Sequence, residues 1–240
     1  MHQLTKYTLA AGFVLASFSA YAEEEEYGWT GAGEFGLVNT TGNTDSSALN
    51  LKLEFINTTE VWRHRITAAA LVTDKDGTKD NERYYLEGQS DRALNEKSYI
   101  LGAVRWDSDK FGPYDPQMTA TVGYGRHLID TEQHQLKAEI GVGYRKLEER
   151  TTGETSSEAI ARFLLDDSFQ VTDTTLWTNR LLVESGSDNT FTQFNTALAV
   201  AMNAKLSLSL GFEVRHNSDV PQGVAENTDT VTTANLVYNF

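Results

Sequence analysis

The stretch Thr228–Phe240, TDTVTTANLVYNF, decides the fold. From Ala234 onward Ala234, Leu236, Tyr238 and Phe240 share one face, and Asn235, Val237 and Asn239 share the other. A period of two is that of a β-strand. The strand closes on an aromatic residue. The same unit, about ten residues of alternating polarity followed by a turn, can be traced backwards through almost the whole chain.

Working outward, the second unit is the clearest: Leu49, Leu51, Leu53 and Phe55 alternate with Asn50, Lys52 and Glu54. The third sets Trp62, Ile66, Ala68, Ala70 and Val72 against Arg63, Arg65 and Thr67. The seventh sets Leu136, Ala138, Ile140, Val142 and Tyr144 against Lys137, Glu139 and Arg145, and the eleventh runs Leu206 to Val214 against Ser207, Ser209, Gly211, Glu213 and Arg215. A weaker fourth strand spans about residues 83–91, and the segment DDSFQVTD at 166–173 has no assignment. Short turns near 57–60, 92–96, 129–134 and 203–205 alternate with longer loops at 39–45, 73–82, 107–116, 148–156, 185–190 and 216–227. Two of the three prolines fall in the 107–116 loop, where a missing ladder donor does no harm. The expectation is an all-β fold: a transmembrane, antiparallel, up-and-down β-barrel of about twelve strands with both termini on the periplasmic side.

The parity sets the faces. A one-residue slip would turn Lys52, Lys137 or Arg215 into lipid, at about 2–4 kcal/mol each near the midplane. The expected lumen lining is therefore Glu34, Lys52, Glu54, Lys137, Glu139, Arg145, Glu158, Arg162, Arg180, Glu184, Glu213 and Arg215. With the short turns taken as periplasmic, Trp29, Trp62, Tyr124, Trp177, Tyr238 and Phe240 fall towards that end, and Trp106, Tyr144, Phe194 and Phe212 towards the other. Two aromatic girdles match the two interfaces of a bilayer. A soluble periplasmic β-protein would also alternate, but its core aromatics would not sort in this way.

At the N-terminus, Lys6, the apolar run 9–18 and Ala20-Tyr21-Ala22 make a signal peptide over residues 1–22. An acidic segment follows at 23–28, and the barrel is expected over 29–240. The formal net charge is −14, from 34 acidic and 20 basic residues, which argues against nucleic-acid binding, since that wants a basic stripe. There is no cysteine, hence no disulfide, thiolate metal site or thiol chemistry.

The opening WTGAGEFGLVNTTGNTDSSALNL, the GVGYRK at 141–146 and the closing HNSDVPQGVAENTDTVTTANLVYNF resemble the YdiY-like family grouped as domain of unknown function 481. The resemblance implies an outer-membrane barrel. It implies no agreed activity and carries over no catalytic residue. Members are often labelled salt-induced outer-membrane proteins, which implies a role in envelope adaptation to salt or osmolarity. The implied partners are outer-membrane lipid and lipopolysaccharide. The C-terminal strand ending in Phe240 also looks like the signal read by the outer-membrane assembly machinery.

Two clusters carry chemistry on paper. His216, Ser218 and Asp219 would serve a rim hydrolase, set against turn bonding in a loop. Asp74, Asp76, Asp80 and Glu82 around Gly77 would serve weak divalent-cation binding, set against a solvated hairpin loop, since the D-x-D-x-D-G spacing of a calcium loop is missing. His64 and His127 read as structural. The sequence assigns no enzyme activity, cofactor or metal. For the charged interior two readings stand: ionic networks that fill it, or a narrow polar pore for small solutes.

Overall fold

A computed structural model describes residues 27–40, 46–221 and 226–240. Its strands are β1 (Gly28–Thr40), β2 (Ser46–Thr58), β3 (Trp62–Lys75), β4 (Thr78–Asn95), β5 (Ser98–Asp109), β6 (Tyr114–Asp130), β7 (His134–Glu149), β8 (Thr155–Thr172), β9 (Thr175–Ser185), β10 (Thr190–Ala201), β11 (Leu206–Asn217) and β12 (Thr228–Asn239). Each pairs antiparallel with its sequence neighbour, and β1 pairs with β12, so the sheet closes into a barrel. That joint is short. Its register runs from Ala32↔Asn239 to Phe35↔Leu236, and Gly31 and Phe240 exchange two backbone bonds of 2.8 and 3.0 Å. The signal-peptide assignment, residues 23–26 of the acidic segment, the 41–45 part of the first loop and the 222–225 part of the last lie outside the described residues, while Gly28 of that segment already belongs to β1.

The faces are those of an inside-out protein. On β2, Leu49, Leu51, Leu53 and Phe55 are exposed while Lys52 and Glu54 are buried. Val122, Ile140, Val142 and Tyr144 carry the same outer face across β6 and β7. Soluble proteins rarely expose an apolar patch beyond a few hundred Å². Here it continues round the wall, and the barrel satisfies its backbone internally, as hydrocarbon demands. Of the ten girdle aromatics, Trp106 is half-buried and the other nine are exposed.

Four segments differ from the sequence reading. The long acidic loop at 73–82 is instead a tight hairpin whose two central residues, Asp76 (φ 51°) and Gly77 (φ 76°), form the left-handed pair of a type I′ turn. The strict alternation of short turns with long loops fails there. β4 is as long as any strand. Its pattern is hard to read because its inner face is polar and its outer face includes Gly88 and Ser90 beside Tyr84 and Leu86. The proline loop is also shorter: β5 reaches Asp109 and β6 begins at Tyr114, so Pro116 sits inside a strand at a register shift. The unassigned DDSFQVTD segment is the end of β8, which turns at residues 173–174.

Glycines make room for inward aromatics. A Cβ on Gly125 would collide with Cζ of Tyr99, whose ring fills that gap on the neighbouring strand. The Tyr99 hydroxyl then donates to Glu139 at 2.8 Å. Gly125→Val should displace the ring and cost about 1–3 kcal/mol of overpacking. We expect less of the compact, heat-modifiable species on unboiled gels and a lower urea midpoint. Gly88→Ala, where the added atom meets nothing within 4 Å, should leave both unchanged.

Candidate functional site

Charged and polar side chains occupy the lumen in connected groups. Glu139 is a hub with no exposed surface. It accepts from Arg162 at 2.7 Å, Tyr99 at 2.8 Å and Gln89 at 3.2 Å, with the Lys137 ammonium at 3.9 Å. Asp166 links Lys137 (3.3 Å) to Arg180 (3.4 Å), and Arg180 reaches Glu87 of β4 at 3.9 Å.

Towards the loop end a second group crosses the barrel. Arg83 of β4 donates to both oxygens of Asp107 (3.2 and 2.7 Å) and to Glu213 of β11 (2.8 Å). Arg215 of β11 pairs with Asp109 of β5 at 2.6 Å and Asp107 at 3.7 Å. Arg105 pairs with Glu184 at 2.5 Å. The inward ring of Phe191 lies 5.6 Å from both the Arg105 and Arg215 guanidinium carbons.

These pairs fix the cross-section. β5 and β11 stand six places apart in the ring of twelve, and β4 stands five from both β9 and β11. A circular twelve-strand barrel with ordinary strand spacing and tilt would be about 24 Å across. Arginine and aspartate side chains cannot meet end to end over that span. The walls therefore approach each other where the pairs form, and the ionic groups make a septum. On one side of it lies a cavity of about 160 Å³. All its lining residues come from β1–β4 and β9–β12, with none from β5–β8. Within it Glu34 pairs with Lys52 at 3.0 Å and accepts from Asn235 at 3.0 Å, while Asn50 donates to Asn235 at 3.1 Å.

The loop between β9 and β10 turns into the mouth rather than away from it. Asn189 is buried there. Its carbonyl accepts from Arg145, its amide donates to Asn217 at 2.8 Å, and the backbone N–H of Asp188 donates to Glu158 at 2.9 Å. Arg145 and Glu158 pair at 2.5 Å beneath it. A loop of four residues thus caps part of the opening without the long insertion that the word plug suggests.

Of the twelve residues expected to line the lumen, Glu34, Lys52, Glu54, Lys137, Glu139, Arg145, Glu158, Arg162, Arg180 and Glu184 are buried, and Glu213 and Arg215 are half-buried within the cross-lumen pairs. Sequence reasoning missed others of equal weight. Arg63 and Arg65 alternate correctly on β3, and parity alone could have added them. Arg83, Glu87 and Asp91 were hidden in the weak fourth strand, Asp107 and Asp109 in the supposed proline loop, and Asp166 in the unassigned segment.

The two paper clusters dissolve. His216 Nδ1 is bonded to the Thr228 hydroxyl at 2.9 Å, and Ser218 and the Asp219 N–H both donate to Asn189 Oδ1, at 3.4 and 3.2 Å. The three do not form a relay. In the acidic hairpin Asp74 caps Gly77 N–H at 2.9 Å, Asp80 accepts from Thr73, and Glu82 pairs with Lys79. Among the described residues no group of three acidic or histidine side chains is placed to hold a metal ion. His64 bonds Ser90 at 2.9 Å and stacks on Trp62.

A closed twelve-strand wall, apolar outside and ion-paired within, defines an outer-membrane β-barrel protein. Residues 33–240 match the family described as protein of unknown function, DUF481, and the chain belongs to that family. It is 29% identical over 210 residues to the uncharacterized protein YdiY of Escherichia coli (strain K12), covering 85% of this chain and 81% of that one. Among solved structures, its fold is similar to that of the NanC porin (TM-score 0.53, 8% identity, 88% of this chain and 98% of the other). It is also similar to an outer membrane channel from Pseudomonas putida F1 (TM-score 0.54, 11% identity, 92% and 98%).

Breaking a buried network by removing one partner typically costs about 3–5 kcal/mol, because the remaining charges are left uncompensated. Glu139→Ala strands Arg162, leaves Lys137 with Asp166 alone, and should lower the unfolding free energy in micelles by that amount. Guanidinium titration would measure it, with the exposed turn variant Glu132→Ala expected within about 0.5 kcal/mol of wild type.

Proposed function

We propose that the protein is a narrow, non-enzymatic outer-membrane channel for small polar solutes. Residues 1–22 direct its export, and it inserts with both termini and the short turns in the periplasm. The observation that carries this reading is the eccentric cavity, whose lining sets the ion pairs Lys52–Glu34, Arg83–Glu213 and Arg180–Glu87 beside apolar side chains such as Leu71 and Val231. A barrel built only as a wall would gain by filling that space with hydrocarbon side chains, because buried ion pairs add little net stability. The named functions of the two structural relatives, a porin and a channel, agree with it.

Outside the barrel, Phe240 is fixed to Gly31 by the two terminal backbone bonds and stacks on Tyr238. These contacts support the reading that the C-terminal strand is the segment the assembly machinery recognises, with the exposed aromatics turned to lipid and lipopolysaccharide. The salt and osmotic role implied by the family label fits a channel for low-molecular-weight solutes. A strain lacking the gene should then grow or equilibrate solutes more slowly at high salt, and identical growth across salt concentrations would remove that part of the proposal.

Purified protein in a planar bilayer should give small, discrete conductance steps. Arg83→Ala combined with Arg215→Ala removes the cations that tie β4 and β5 to β11, and should enlarge the steps in protein that still shows the folded gel band. A bilayer silent with both wild type and variant would overturn the channel and leave a closed structural barrel.

A further inference from the structure

Four basic side chains line the cavity, Lys52, Arg65, Arg83 and Arg180, and four acidic ones, Glu34, Glu54, Glu87 and Glu213. Three of each are committed to one another: Lys52 to Glu34 at 3.0 Å, Arg83 to Glu213 at 2.8 Å and Arg180 to Glu87 at 3.9 Å. Arg65 and Glu54 remain. Arg65 is 3% exposed, yet its Nε and Nη2 find no hydrogen-bond partner among the described residues. Glu54 is 8% exposed and, among the described residues, makes no hydrogen bond or ion pair. The two lie diagonally on the inner face of adjacent strands, since Ile56 is opposite Arg65 and Glu54 is opposite Thr67. They are neighbours that do not touch.

A buried guanidinium with idle N–H groups carries a desolvation cost of several kcal/mol that the other lumen arginines offset with carboxylates. Its planar fork suits a carboxylate or phosphate oxygen pair. The unused carboxylate beside it would repel a simple anion and attract an ammonium. Leu71 and Val231, also in the lining, offer an apolar wall for a short aliphatic link. We propose that this cavity binds a small zwitterion, its anionic group held by Arg65 and its cationic group by Glu54. This deepens the channel reading by naming the class of solute, but it is a statement about binding and does not require conduction.

The test is a saturation-transfer NMR titration of the folded barrel in nanodiscs with β-alanine, acetate and methylammonium. β-Alanine should bind saturably, and the two single-charge probes at least about tenfold more weakly, as expected when one charge-assisted contact is lost. Arg65→Gln and Glu54→Gln should each weaken β-alanine by a similar factor. The heat-modifiable gel band certifies the fold of each variant, and Glu54→Gln serves as an independent arm if Arg65→Gln does not assemble. Absence of saturable β-alanine binding, acetate binding as tightly as β-alanine, or indifference to the substitution in folded protein would each overturn the proposal. A silent bilayer with β-alanine binding intact would remove the channel alone, and an open channel without binding would remove the zwitterion site alone.

Discussion

Everything in this molecule follows from one electrostatic constraint. The outer wall meets hydrocarbon, so charged side chains in the middle of the strands, such as Lys52, Glu139 and Arg180, are sent inward, while outward ones such as Arg126 and Lys146 lie near strand ends, and once inside a charge needs an opposite charge. Arg215 finds Asp109, Arg83 finds Asp107 and Glu213, and Arg105 finds Glu184. Arg83–Asp107 joins adjacent strands, but Arg215–Asp109, Arg83–Glu213 and Arg105–Glu184 join distant ones, so these three pairings cannot be achieved along one wall. They draw opposite walls together, give the barrel an oval section and displace its free space to one side.

That constraint also explains how much could be read beforehand. Strands such as β2, β7 and β11 announce themselves because large aliphatic residues alternate with charges. β4 does not, since Gly88 and Ser90 occupy its lipid side. The hairpin at Asp76 was hidden by its own composition: a run of acids and lysines looks like a solvated loop, and only the Asp-Gly pair signals a two-residue turn. Asp107 and Asp109 were lost for the same reason, as neighbouring proline and glycine mark a loop that the strand outlasts.

The pairing itself was not legible. Parity says that Arg180 points inward, but not that it will sit between Asp166 and Glu87, because partner choice depends on the closure and flattening of the whole ring. The same holds for Arg65. Its inward direction is plain from Trp62 and Ile66 on the other face, whereas the lack of a hydrogen-bond partner for its Nε and Nη2 among the described residues emerges only after the other lumen cations have been matched. A site defined by what is left over has no local sequence signature.

The joint between the first and last strands has a consequence of its own. Neighbouring staves elsewhere are zipped along most of their length, whereas this pair is registered only from Ala32 to Phe35 and clasped by Gly31 and Phe240. A cylinder parts most readily where its fewest rungs lie. The first and last strands therefore form the latch of the ring, the place where amide protons exchange soonest when it breathes.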